Sequence, residues 1–273
     1  MRIRGIERTG DARSRRGASA SLILVLVVLI VVVVTAILVS RRRSQVTSGA
    51  VPAGSAGTAS AGAPPSGAGG IPILANKPRP TEITFQGCPP DGDGGDRALN
   101  RQKNRVDEGA YVPVSLNAIV TLPWPPAIEQ KRRANWSRRD AAEVEKYEGV
   151  PVQVVGYIAG AKLEGPESPN CHGADAAFRD FHIWLTDTSS TDRRGSVVIE
   201  MTPRVRTNHP EWTVAALRKL SRGKTKVRVS GWLMMDQEHP DQVGRTRGTI
   251  WEIHPVMRVE VERGGRWAPL GGT

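Results

Sequence analysis

Charge is absent from residues 22–39, LILVLVVLIVVVVTAILV, a run that opens on Leu22 and closes on Val39. With Ser21 and Ser40 the uncharged stretch is 20 residues, and a helix of that length spans about 30 Å, the hydrocarbon thickness of a bilayer. That excludes an ordinary buried core helix, which rarely stays uncharged beyond ~14 residues. No small-x-small site closes the run and no cysteine follows it, so neither signal-peptide cleavage nor lipoprotein processing has its substrate. Cysteine is nearly missing as well. Cys88 and Cys171 are the only two, so one disulfide at most is open, and it would clip an N-terminal arm to the main domain. The motifs HExxH and GxSxG and any glycine-rich phosphate loop are also absent, and with them any named reaction.

Six arginines precede the apolar run and Arg41, Arg42 and Arg43 follow it. The richer basic flank stays cytoplasmic, which predicts a single-pass signal-anchor in the cell membrane with the C-terminal part outside. The formal charge is +11, but residues 1–43 hold +7 of it and residues 148–263 only +1. The excess sits where anionic lipid would meet it. A folded part this close to neutral suits a glycan or protein partner better than nucleic acid.

The chain divides into a basic cytoplasmic segment (1–20), a transmembrane helix (21–40), a Gly/Ala/Ser/Pro linker (41–75), an N-terminal extension packing on a barrel (76–147), the barrel domain (148–263) and a tail (264–273). Residues 44–70 have no apolar period and form a flexible tether with a reach of about 30 Å. In 87–105 a turn-rich acidic half precedes a basic half. Asp91, Asp93 and Asp96 have the composition of a calcium loop without its full spacing or distal glutamate, which reads as a solvated turn. Residues 111–122 read as extended. Residues 138–147 read as a helix that Ser137 can cap.

From Val150 the apolar period becomes two. Strands are expected at 150–158, 181–185, 196–201, 226–233 and 249–262, the last broken near Pro255, with a helix over 210–220 and no structure in the tail. Three strands, a helix and two strands, with Gly156 and Gly231 placed for coiling, is the order of the OB fold, and the resemblance covers about 115 residues. It implies a mainly β protein built on an OB-like five-stranded barrel with one helix between strands three and four. The stretches GDGGDRALNRQKNR, ESPNCH, DFHIWL, SGWLMMDQEHP and WEIHPV are similar to a group of uncharacterised bacterial membrane-anchored proteins, a resemblance that implies a fold and no activity. Thermonuclease-like enzymes use a related barrel, but their paired arginine and carboxylate motifs have no counterpart here.

Alternation assigns Phe181, Ile183 and Leu185 to the core and turns His182 and Trp184 outward. By the same rule Glu200, Glu252 and His254 point outward. His182, Glu200 and His254 then share one face of neighbouring strands, with His172 in the loop above. Two histidines, a glutamate and a fourth donor are a zinc-type set, and Glu200 could otherwise be a general base beside a histidine acid. The plainer alternative is a polar network in which Glu200 bridges two imidazoles. A second use of that face is binding, with Tyr157, Trp184 and Trp232 stacking on a ligand and Arg204 supplying charge. The alternative there is that the tryptophans pack under the N-terminal extension. The expectation is a non-enzymatic binding or scaffold module without a cofactor, with a metal-dependent hydrolase, zinc its metal, as the competing reading.

Overall fold

The computed structural model describes residues 70–129 and 132–272. The basic segment, the 22–39 run and most of the linker lie outside them. Among the described residues no helix is long and apolar enough to cross a membrane.

The N-terminal extension is more helical than its composition suggests. Asp96 accepts from the backbone N–H of Ala98 and Leu99 and so starts α1 (Arg97–Lys103). The acidic half of 87–105 therefore has protein partners throughout. Asp91 pairs with Arg97 and Arg101, and Asp93 faces His172. Only Val112–Pro113 (β1) of the expected extended stretch is strand, paired in parallel with Val152 and Gln153. The correction is α2 (Leu116–Val120), which Ser115 opens by accepting from Ala118 N–H. Leu116 and Ile119, spaced three apart, bury one helical face. α3 (Arg138–Glu145) begins at Ser137, as the sequence predicts.

Five strands close a mixed β-barrel: β2 (Pro151–Leu163), β3 (Phe181–Thr186), β4 (Val197–Met201), β5 (Lys226–Met235) and β6 (Trp251–Arg263). Their order, β2-β3-β4-β6-β5 and back to β2, is compatible with an OB-like barrel. All contacts are antiparallel except the β4–β6 seam. β2 manages closure by pairing its first half with β5 and its second with β3, and it turns between them at Gly156. A Cβ there would lie 2.5 Å from Thr186 O and 2.9 Å from Leu116 Cδ1, so only glycine lets the strand cross so close to its neighbours. Between β4 and β5 lie α4 (Pro203–Arg206) and α5 (Val214–Arg222), the latter capped by Thr213.

Two corrections concern the C-terminal end. β6 runs unbroken through Pro255, because the irregularity is taken up across the ladder, where the register shifts at Gly231. The tail is not structureless. Gly264 and Gly265, with φ +55° and +77°, form the two-residue turn into β7 (Arg266–Pro269), which pairs back on β6.

The extension covers what would otherwise be an outer face. Trp232 is fully buried, with the Arg105 guanidinium 3.3 Å from its ring centroid and its indole N–H donating to Asp107 O at 3.2 Å. Arg204 is buried too. It donates to Asn104 Oδ1 (2.8 Å), Asn170 Oδ1 (3.1 Å) and the carbonyls of Cys88 and Pro89, tying arm and 167–172 loop to α4. A Cys88–Cys171 disulfide, Cα atoms 5.8 Å apart, closes the same junction. Two outcomes are expected. Cys88→Ser with Cys171→Ser should lower unfolding free energy by about 2–5 kcal/mol in denaturant titration, and an unchanged midpoint would contradict the clamp. Trp232→Ala should cost about 3–5 kcal/mol by the same measurement, where an exposed tryptophan would cost almost nothing.

Candidate functional site

Alternation along β3 and β4 holds, but both faces are covered. Ile183, Leu185, Ile199 and Met201 belong to the main core, whereas Trp184, Val198 and Ala159 form a separate small cluster on the other side. Every residue of β3 and β4 is buried. His182 lies directly across from Glu200, and the parallel pairing of Ile199 with Ile253 sets His254 beside Glu200 on the next strand. The three side chains meet. Glu200 Oε1 is 2.8 Å from His182 Nδ1, and Oε2 is 3.1 Å from His254 Nδ1. Glu164 adds a second carboxylate to His182 Nδ1 at 3.2 Å, and Glu252 one to His254 Nδ1 at 3.3 Å. Asp180, just before β3, brings Oδ2 to 3.6 Å from His254 Nε2 and accepts from Asn170 Nδ2 at 2.9 Å through Oδ1.

Above this row opens a cleft of about 490 Å³, lined among others by Lys103, Glu167, Glu200, Asp236, His239 and Glu252. Lys103 reaches Glu252 Oε1 at 3.1 Å from α1. Asp236 is shared by Arg247 Nη1 (2.6 Å) and His239 Nδ1 (2.8 Å). A larger groove, about 650 Å³, runs between the 74–80 segment and α3, but Arg105 and Arg133 on its wall are committed to Asp107 and Glu148. It is a packing seam.

The cleft separates its acids. Burial drives the Glu167 carboxyl up to about 9, helped by Glu200 and Asp180. Burial also raises Asp180, to about 6, against the pull of His254. Burial opposes ionisation of Glu200, but the two imidazoles outweigh it and hold the group well below the carboxylate range. Burial and Lys103 oppose charge on His254, while Glu200 and Glu252 together lift it to about 10. Burial would lower Lys103, yet Glu252, Asp236, Glu200 and Glu167 raise it. Three buried atoms in this centre have no hydrogen-bond partner among the described residues: His182 Nε2, His254 Nε2 and Asp180 Oδ2.

Of the candidates named from sequence, His182, Glu200 and His254 are brought together. His172 is not. It sits on the cleft rim, half exposed, with Nδ1 on Asp93. The aromatic face does not form. Trp232 and Arg204 are buried under the extension, which corrects their place as ligand-binding residues. Trp184 is 7 % exposed, its ring covered by the Arg193 guanidinium 3.7 Å away and by His182. Tyr157 is half-buried where β2 passes from β5 to β3. Asp180, Lys103, Glu167, Asp236 and His239 also meet here, and strand alternation marks none of them. Their signal lay in the resemblance, because all five of its stretches supply residues to the cleft or the row beneath it. No protein-family model matches the chain, and no curated protein or solved structure matches it either.

The hydrogen bond that His239 donates to Asp236 raises the imidazole above its ordinary value, outweighing burial. A raised folded value means the contribution is complete below the unfolded value and fades as pH climbs through the folded one. His239→Gln should therefore lower the melting temperature more at about pH 6 than at about pH 9. An equal loss at both would refute the pairing.

Proposed function

We propose that this chain is a membrane-tethered extracytoplasmic binding module on an OB-like barrel, and that its ligand seat is the carboxylate cleft. The observation that supports the reading is chemical. Ionised carboxylates only accept hydrogen bonds, so a cleft lined by Glu200, Asp236 and Glu252 calls for a ligand rich in donors. A glycan, dense in hydroxyls and neutral, meets that need, and a phosphate backbone would be repelled. The volume is within the range of small-molecule sites, roughly 300–1,000 Å³. The 22–39 run supplies the anchor in this proposal, the 44–70 tether gives the barrel reach, and the arginine imbalance sets it outside the cytoplasm.

One observation favours a second reading, a metal-dependent hydrolase. Glu200 takes both imidazoles by Nδ1 and leaves both Nε2 atoms unpaired in a buried place. A carboxylate that orients a histidine in this way is the usual outer partner of a metal ligand.

Calorimetric titration of the detergent-solubilised chain with a panel of soluble oligosaccharides, chitotriose among them, tests the first reading. Glu252→Gln should weaken binding by about tenfold, the value of one hydrogen bond to a charged group, while Trp184→Ala leaves it unchanged. The opposite pattern would move the ligand to the sheet face and end the proposal.

A further inference from the structure

One imidazole on the cleft wall is held as a catalytic base is held. His239 follows β5 and lines the cleft with 46 % of its side chain exposed. Its Nδ1 donates to Asp236 Oδ2 at 2.8 Å. That carboxylate is fixed: the same oxygen accepts from Arg247 Nη1 at 2.6 Å, Oδ1 accepts from Glu238 N–H at 2.9 Å, and the residue is buried. With Nδ1 engaged, the ring presents Nε2, which no hydrogen bond takes among the described residues. A carboxylate that sets the tautomer of an imidazole and leaves its far nitrogen open is the arrangement that orients a histidine base. His172 and Asp93 form a similar pair at the rim, but their side chains are 57 % and 41 % exposed, and no second side chain holds that carboxylate among the described residues.

A proton donor stands on another loop of the same cleft. Glu200, Asp236 and Glu252 each face a side-chain nitrogen, at 2.8, 2.6 and 3.1 Å. Glu167, between β2 and β3, has no cation within ion-pair distance among the described residues, and burial keeps its carboxyl protonated up to about pH 9. One group is set to take a proton and the other to give one, which is an acid–base pair. The sign of the surrounding charge selects the reaction. Ester, amide and phosphate hydrolysis build negative charge on oxygen, which the ionised acids of the wall oppose. Cleavage of a glycosidic bond builds positive charge at the anomeric carbon, which Glu200, Asp236 and Glu252 favour. We propose that the cleft hydrolyses a glycosidic bond of the oligosaccharide it binds, with Glu167 as general acid and His239 as general base.

Water is the nucleophile. Its oxygen bonds to the anomeric carbon while the bond from that carbon to the bridging oxygen breaks. The electron pair of the broken bond goes to the bridging oxygen, which takes the Glu167 proton, and His239 Nε2 takes the proton that water loses. One oligosaccharide and one water become two shorter sugars, and the imidazolium returns its proton through solvent to Glu167. Asp236 is a positioning residue that holds the ring and offsets the charge His239 gains. His239 is faced by Asp236, Arg247 and Glu252, and Glu167 by Glu200, Asp180, Lys103 and His254. The rate requires neutral His239 and protonated Glu167, so it falls on the acid side as the imidazole gains a proton and above about pH 9 as the carboxyl loses one.

The inference rests on the glycan reading above. The full chain, solubilised in detergent and treated with chelator, is incubated with the oligosaccharide panel, chitotriose included, and the products are separated by chromatography. A dinitrophenyl glycoside of each sugar that is cut is assayed in parallel. Cleavage with a bell-shaped pH profile is expected. Glu167→Gln should slow oligosaccharide cleavage by about 10²–10⁴-fold and remove the alkaline limb, yet leave the dinitrophenyl glycoside nearly unaffected, because that leaving group needs no proton. His239→Gln should slow both substrates by about 10²–10⁴-fold and remove the acid limb. A variant that failed to fold would lose both substrates alike, so the split between them reads Glu167 itself. Oligosaccharide that binds and stays intact overturns the catalytic assignment and leaves the binding module, whereas absence of binding overturns both. Cleavage that appears only when zinc is restored, or that persists in both variants, also overturns the assignment.

Discussion

Everything near the cleft depends on one carboxylate, Glu200, which accepts from an imidazole on each neighbouring strand. The contact is possible only because three strands bring it about at once: an antiparallel pair sets His182 across from Glu200, and the parallel β4–β6 seam sets His254 on the other side. Buried charge of this kind is costly unless it is paired, and removing one partner from such a pair typically costs about 3–5 kcal/mol. The network therefore constrains the barrel as much as the barrel positions the network. A one-residue slip in either seam would turn the slipped strand's member of the row to the opposite face and break the contact.

The second constraint is the cover. A closed five-stranded barrel needs only its inside filled, yet here Trp232, Trp184, His182, Glu200 and His254 on the outer side are buried as well. The N-terminal arm covers Trp232 through Arg105 and the acid row through Lys103 on Glu252 and the cross-link at Cys88, while Arg193, between β3 and β4, covers Trp184. Arg204 joins arm, loop and barrel with a single guanidinium. A surface that alternation alone would leave wet is buried beside the cleft, and the acids that line the cleft are pushed apart in their affinity for protons.

How much of this the sequence disclosed follows from the range of each interaction. Period-two patterning placed all five strands, and the strand order was enough to align His182, Glu200 and His254, because register is local once the order is known. Capping residues were legible where the composition was plain, as at Ser137, and overlooked at Ser115 and Asp96, where proline, valine and glycine nearby read as strand or turn. What stayed hidden was long-range cover. Nothing in β5 announces that Trp232 meets Arg105 from 127 positions away. Asp180 precedes its strand and so fell outside the alternation that marked the other residues. The stretches of resemblance did contain the missing groups, scattered over the chain, and only the fold draws them together.

The most direct test of the central interaction is the state of the imidazoles themselves. With only five histidines in the chain, selective nitrogen-15 labelling and long-range nitrogen–proton correlation spectra can assign each tautomer. The account predicts that His182 and His254 carry hydrogen-bonded protons on Nδ1 whose signals move together when Glu200 becomes glutamine. Rings without a proton on Nδ1, or signals indifferent to that substitution, would contradict it.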